Sequence, residues 1–171
     1  TSGDSPNYLF VDLMIDADAA PEIAKFTYTS ADVATSEVSY RLLLRRDNSS
    51  AREGFSAKDS VYLIMPDRFA NGDPSNDSVD HLHELADGQH PFGRHGGDLA
   101  GITENLDYFT QLGMTQLWMT PVLENNQKDS SYHGYAATDL YRVDARLGSN
   151  SDYVELSRGA RKRGIGIIND F

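Results

Sequence analysis

Cysteine is absent from this chain, tryptophan occurs once, and 15 Lys and Arg face 26 Asp and Glu. Without cysteine there can be no disulfide and no thiolate metal site. A formal net charge of −11 denies the clustered cations that a phosphate backbone needs, so no nucleic-acid partner is expected. No apolar run approaches the ~20 residues of a membrane-spanning helix, so no membrane partner is expected either. Thr1 does not open a signal-peptide pattern, which leaves any targeting segment absent or removed and the compartment, periplasmic or cytoplasmic, open. What is present, 39% hydrophobic and 24% charged residues in 171, is the composition of a globular protein with one domain or parts of two.

Two patterns meet near residues 45–60. The first part reads as β structure, with strand-like runs at Tyr8–Ile15, Lys25–Thr29 and Val38–Leu44 separated by Pro21 and Asp/Ala-rich turns. Arg45 to Ser60 is polar and reads as a linker. From there the order changes. Val61–Met65 is a short apolar strand followed by a long Gly- and Asp-rich loop. Thr103 is a candidate cap for a helix that runs to Leu112 and stops at Gly113. Thr115–Thr120 predicts a second strand and Ile165–Phe171 a third, with a helix over Asp152–Arg163, capped at Ser151, between them. Strand, helix, strand, helix, strand predicts parallel βαβ units, the opening of either a doubly wound sheet or a (β/α)8 barrel.

The loop Pro66-Asp67-Arg68-Phe69-Ala70-Asn71-Gly72-Asp73-Pro74-Ser75-Asn76-Asp77 carries the densest chemistry. Asn71, Asp73, Asn76 and Asp77 crowd side-chain oxygens onto a turn shaped by Gly72 and Pro74. Farther on, Gly96 can add a carbonyl and Asp98 a carboxylate. Calcium takes six to eight such oxygens. The EF-hand register fails, because its turning glycine would fall on Ser78. A metal-free Asx-turn loop satisfies the same composition, and the residues alone leave both readings open. Tyr132-His133-Gly134-Tyr135 joins two aromatic faces that can stack on a sugar to a histidine that can bond a hydroxyl. The alternative is a loop packing on its own strands. Asp170, at the end of the third strand, is either site-facing or a strand-end cap.

These segments together resemble the alpha-amylase family of glycoside hydrolases (glycoside hydrolase family 13), in its cyclomaltodextrinase, neopullulanase and maltogenic-amylase branch. Pro66–Asp77 matches that branch's first-strand loop and Gly96-Gly97-Asp98 the motif before its first helix. Leu112-Gly113-Met114-Thr115-Gln116-Leu117-Trp118-Met119-Thr120-Pro121 is similar to the family's second barrel strand, so Leu117 and Trp118 are expected to pack in the barrel. The resemblance implies a structural calcium held by Asn71, Asp73, Asn76, Asp77, the Gly96 carbonyl and Asp98. It implies that Tyr135 stacks on the reacting sugar and that His133 and Asp170 support it. Ala136-Ala137 departs from the family's usual Trp-Ala, and Asn169 is not its commonest residue before the Asp.

The fold so implied is α/β, the N-terminal part of a (β/α)8 barrel preceded by the end of an immunoglobulin-like β-sandwich. Residues 1–50 would be the end of the sandwich, 51–60 a linker and 61–171 the first three barrel strands. Retaining hydrolysis needs two carboxylates about 5–5.5 Å apart. The family carries its nucleophile and acid/base on later strands, so no catalytic residue is assigned in this chain. The expected object is a segment of a larger enzyme that hydrolyses α-1,4-glucosidic bonds in cyclomaltodextrins, maltodextrins or pullulan. Its partner would be the α-glucan or cyclodextrin, and the complete enzyme is compatible with a homodimer. A calcium-stabilised carbohydrate-binding module without hydrolase activity is the alternative, and a bare α/β domain a third.

Overall fold

The computed structural model describes residues 11–30, 33–47, 49 and 53–171. The chain divides into two units, Thr1–Glu53 and Gly54–Phe171. In the first, β1 (Glu22–Ser30) and β2 (Val33–Leu42) form an antiparallel hairpin with Phe26 opposite Val38 and Ala24 opposite Tyr40. Two of the three strands expected here are therefore present. Of the third, Tyr8–Ile15, residues 8–10 lie outside the described residues and 11–15 form no strand. That run is apolar but alternates poorly, and composition without a period pairs weakly.

The second unit is a parallel α/β layer. β3 (Val61–Ile64), β4 (Gln116–Met119) and β7 (Gly166–Asn169) lie in the order β3-β4-β7, all parallel. Between them come α1 (Pro66–Phe69), α2 (Leu99–Glu104), α3 (Leu106–Gln111), β5 (Leu123–Glu124), β6 (Asp139–Val143) and α4 (Asn150–Lys162). The pleat sends alternate residues to opposite faces. Leu117 and Met119 of β4 are fully buried on the helix-covered face, with Ile64, Leu99, Ile102, Leu106, Phe109, Leu156 and Ala160. Leu63 pairs with Trp118, and Trp118 with Ile168, on the other face. There Leu63 is 59% and Trp118 40% exposed. Leu117 thus packs in this core, and Trp118 lies on the opposite face of the same sheet. Phe69 stacks on Phe109 at 5.2 Å and Tyr62 meets the same ring edge-on at 5.1 Å, tying α1 to α3 and β3.

Helix starts differ from the expected ones for a definable reason. The first helix begins at Leu99, four residues before Thr103, because the Asp98 side chain accepts from Gly101 N and caps it. Thr103 instead turns its hydroxyl back to the Leu99 carbonyl. The helix also breaks at Asn105, which serves as the end of α2 and the start of α3. The last helix starts from Ser149, not Ser151, through a capping box with Asp152. β5 and β6, in a stretch expected in part to be loop, form a small antiparallel pair.

Candidate functional site

The long excursion from β3 to α2 is organised by two carboxylates. Asp67, 1% exposed, accepts from His95 N at 3.0 Å and Gly96 N at 3.3 Å and pairs with the Arg68 guanidinium. Asp98, 0% exposed, accepts from Gly72 N at 3.0 Å, Asp73 N at 2.8 Å, Gly101 N at 2.6 Å and Asn76 Nδ2 at 3.2 Å. That uses about all four lone-pair positions a carboxylate offers. Asp98 thus clamps the Asn71–Asp77 turn onto the start of α2.

The six residues expected around a cation are brought near one another by this clamp. Asn71 Nδ2 donates to Asp77 Oδ1 at 2.7 Å. Gly96 has φ +86, and a Cβ there would lie 2.6 Å from Asp77 Oδ1 and 2.8 Å from Asn71 Nδ2. Only a residue without a side chain lets these three groups meet. The Asp73 carboxylate turns aside to Ser75, accepting its N–H at 3.0 Å and its hydroxyl at 2.6 Å. Those two bonds hold the Asp73 carboxyl below its ordinary pKa. Asn76 Oδ1 is buried and has no hydrogen-bond partner. Among the described residues no three His, Asp or Glu side chains gather as a metal-holding group. The arrangement is rich in amides and backbone oxygens, and the buried, unpartnered Asn76 Oδ1 is the kind of donor a hard cation takes.

The second excursion, from β4 to α4, carries the aromatic turn. Ser130 is left-handed (φ 58), the only such non-glycine among the described residues. A short 3-10 turn, Ser131–His133, follows, and Gly134 (φ +85) closes it. A Cβ on Gly134 would stand 2.1 Å from the Pro121 carbonyl, so the turn can press onto the end of β4 only with glycine there. The Arg68 guanidinium lies over the Tyr132 ring at 3.9 Å. His133 stacks on Tyr135, centroids 5.8 Å apart, and its Nδ1 accepts from Tyr135 N at 2.9 Å. With Nδ1 accepting, a neutral ring presents its N–H at Nε2. The Tyr135 hydroxyl donates to Asp170 Oδ2 at 2.8 Å. That bond raises the Tyr135 pKa above its ordinary value. Tyr135 stays 55% exposed. The structure therefore brings His133, Tyr135 and Asp170 into one open cluster at the C-terminal ends of β4 and β7.

Sequence reading missed the buried network that supports both excursions. Arg146, 1% exposed, is bidentate on Asp144 (Nε 2.9 Å, Nη2 2.8 Å) and donates to the Glu84 and Asn125 carbonyls at 2.7 and 2.8 Å. Arg94, 2% exposed, donates to Ser131 Oγ at 3.0 Å and stands 3.7 Å from Asp144. Burial pulls the Arg94 pKa down to about 10, against the charge of Asp144, so it is still a cation at neutral pH. Burial pushes the Asp144 carboxyl up, but hydrogen bonding to Arg146 and the charges of Arg94 and Arg146 outweigh it, leaving the pKa below the ordinary value. The one local hint was the Asp144-Ala145-Arg146 spacing.

A family model described as the alpha amylase catalytic domain matches residues 63–171. The chain is 37% identical over 142 residues to a periplasmic alpha-amylase of Escherichia coli (strain K12), covering 75% of this chain and 21% of the relative. It is 40% identical over 119 residues to neopullulanase 2 of Thermoactinomyces vulgaris, covering 67% and 19%. Among solved structures, an Anoxybacillus alpha-amylase superposes with a TM-score of 0.59 at 40% identity, over 66% of this chain and 23% of that one. The type III pullulan hydrolase of Thermococcus kodakarensis superposes with 0.58 at 28% identity, over 89% and 30%. The chain spans no more than about a quarter of the length of these curated relatives, 21% and 19% for the two above. With the matched model covering most of the chain, and the loop, strand and aromatic-turn motifs folded onto one sheet end, this chain belongs to the alpha-amylase family, glycoside hydrolase family 13.

Proposed function

We propose that the protein containing this chain hydrolyses α-1,4-glucosidic bonds of cyclomaltodextrins, maltodextrins or pullulan with retention of configuration. One observation carries the reading most: the Tyr135 hydroxyl on Asp170, 2.8 Å, with His133 stacked against the same ring. An exposed, oriented aromatic face binds the apolar face of a glucose ring, and the adjacent Nε2–H and carboxylate oxygens fit its hydroxyls. In the complete enzyme the three parallel strands would continue into a (β/α)8 barrel. The open face bearing Leu63 and Trp118 would become its interior, and the hairpin before it part of an immunoglobulin-like sandwich. A covalent glucosyl-enzyme intermediate would form on a carboxylate outside the motifs found here.

The test is turnover by the full-length enzyme on the three glucan classes, with the anomer of the first product read by NMR. Tyr135→Ala is expected to lower kcat/KM by roughly a hundredfold, a loss typical of misplaced substrate. Binding of cyclomaltodextrin without turnover would instead favour a carbohydrate-binding module. Inversion would overturn the retaining mechanism.

A structural calcium is proposed at Asn71, Asp73, Asn76, Asp77, the Gly96 carbonyl and Asp98. The buried, unpartnered Asn76 Oδ1 supports it. When bound, the ion would supply charge that fastens the turn, not chemistry. Asp98 contributes first as the clamp of that turn, since its oxygens already accept four N–H groups. EDTA is expected to lower the Tm of the full-length protein and calcium to restore it. Asn76→Ala should abolish most of that shift. An unchanged Tm in EDTA would sink the cation reading.

A further inference from the structure

The sugar-facing turn depends on a residue with no role in the motifs. We propose that Glu84 is a positioning residue for Tyr132–Tyr135, holding Ser130 in its left-handed conformation so that His133 stacks on Tyr135 and the Tyr135 hydroxyl reaches Asp170. This rests on the functional reading above and adds to it a residue from the first excursion.

The Glu84 carboxylate accepts two successive amides, Ser130 N at 3.1 Å on Oε1 and Ser131 N at 2.6 Å on Oε2. Successive N–H groups around a left-handed residue form a concavity that favours an anion. A serine at φ 58 sits where L-residues are disfavoured, and such a conformation persists only when its surroundings over-determine it. Glu84 supplies that determination, since a charge-assisted acceptor is roughly twice as strong as a neutral one. Glu84 is itself fixed, because its backbone carbonyl accepts from Arg146 Nη1 at 2.7 Å.

The consequence for the site follows from the chain direction. Ser130 sets the path into the 3-10 turn, and Gly134 (φ +85) sets the path out. Between them the side chains of Tyr132 and His133 leave the backbone at angles fixed by those two residues. Gly134 adopts its conformation without strain, so Ser130 is the end that needs holding. Replacing the carboxylate by an amide keeps one acceptor and sets a donor against the other backbone N–H. The turn would then relax toward an ordinary conformation, parting Tyr135 from Asp170 and His133 from the Tyr135 ring.

The experiment uses the full-length enzyme with Glu84→Gln, Ser130→Gly and the double variant. Glu84→Gln is expected to lower kcat/KM on a maltodextrin by roughly tenfold or more, as misplacement far from the chemistry does. Adding Ser130→Gly should restore most of it, because glycine takes the left-handed conformation freely. Amide exchange over residues 130–135 should rise in Glu84→Gln, leaving α4 unchanged, and fall again in the double variant. Wild-type exchange in Glu84→Gln, or no rescue by Ser130→Gly, overturns the proposal. Exchange is read without substrate, so an enzyme that fails to hydrolyse α-glucans would defeat the functional reading while the clamp is still decided. If Glu84→Gln does not fold, Ser130→Val with Glu84 intact takes its place: wild-type kcat/KM there overturns the proposal, and a tenfold loss supports it.

Discussion

The two long excursions off the parallel sheet are held by buried charge in different arrangements, carboxylates gripping backbone amides in the first and a carboxylate–guanidinium pair in the second. Between β3 and α2, anions gather backbone amides: Asp67 takes those of His95 and Gly96, and Asp98 those of Gly72, Asp73 and Gly101. Between β4 and α4 an ion pair does so: Asp144 accepts from Asn125 N and Arg146 N, while Arg146, paired with it, donates to the Asn125 carbonyl and across to that of Glu84 in the first excursion. Loops this long cannot satisfy their polar backbone with regular structure, and an unpaired buried group is costly. A charged side chain at 0–2% exposure does for each loop what a strand partner does in a sheet. What the clamps leave over differs as well. The first loop leaves a buried amide oxygen on Asn76 without a partner, the atom on which the proposed cation rests. The second leaves the Tyr135 ring half exposed, the surface on which the proposed sugar site rests.

Removing the clamps should show that the first loop depends on its anion more than the second does on its cation. Asp98→Ala orphans three backbone amides, one of them the Gly101 N–H that caps α2, at about 1–3 kcal/mol for each group left unmade. We expect a loss of about 3 kcal/mol or more, or no folded product, in denaturant melts of the full-length protein. Asp98→Asn should recover part of it. Arg146→Met keeps the packing of the stem and removes the fork. Leaving Asp144 uncompensated costs about 3 kcal/mol, offset in part by Arg94, which stays 3.7 Å away. If Arg146→Met proves the more damaging of the two, the contrast between the loops is wrong.

Acid should separate the loops next. Folding lowers the Asp144 pKa below its ordinary 3.8. The folded chain therefore binds fewer protons there than the unfolded chain, and this ionisation stabilises the fold fully above the ordinary value. The contribution is lost as pH falls through the depressed folded value. Asp144→Asn should flatten the acid limb of the stability curve as well as lower the whole. A limb of unchanged slope would mean that Asp144 ionises alike in both states.

β3, β4, β7 and α4 were legible because each shows a compact apolar run or a Ser/Asp start with a glycine stop, and these signals are local. The Pro66–Asp77 loop and the aromatic turn were legible as words with known relatives. What was not legible is how they are held. Asp98 caps α2 while gripping Gly72, 26 residues away, and no window of sequence carries that bond. Arg146 reaches Glu84 across 62 positions. Arginine is most often exposed, so nothing in composition marks one as buried. The early start of α2 follows from the same bond. Without knowing that Asp98 is pinned, Thr103 looks the better cap.

The finest contrast lies within the aromatic cluster, between what Tyr135 does as a ring and as a hydroxyl. Tyr135→Phe keeps the face stacked on His133 and loses the bond to Asp170. At 55% exposure that bond adds little to stability, roughly 0.5 kcal/mol or less, because water replaces it. Its electrostatic signature is separate. The Asp170 bond favours the neutral phenol, so the Tyr135 pKa is raised, and whatever it contributes to stability is present at neutral pH and lost only as pH climbs through the raised value. Asp170→Asn should bring the tyrosinate titration back toward its ordinary value without moving Tm. For catalysis, the ring should outweigh the hydroxyl: Tyr135→Phe is expected to lower kcat/KM by only a few fold, while Tyr135→Ala loses the stacking surface itself. Equal losses in the two variants would mean that the Tyr135–Asp170 bond, and not the aromatic face, holds the sugar.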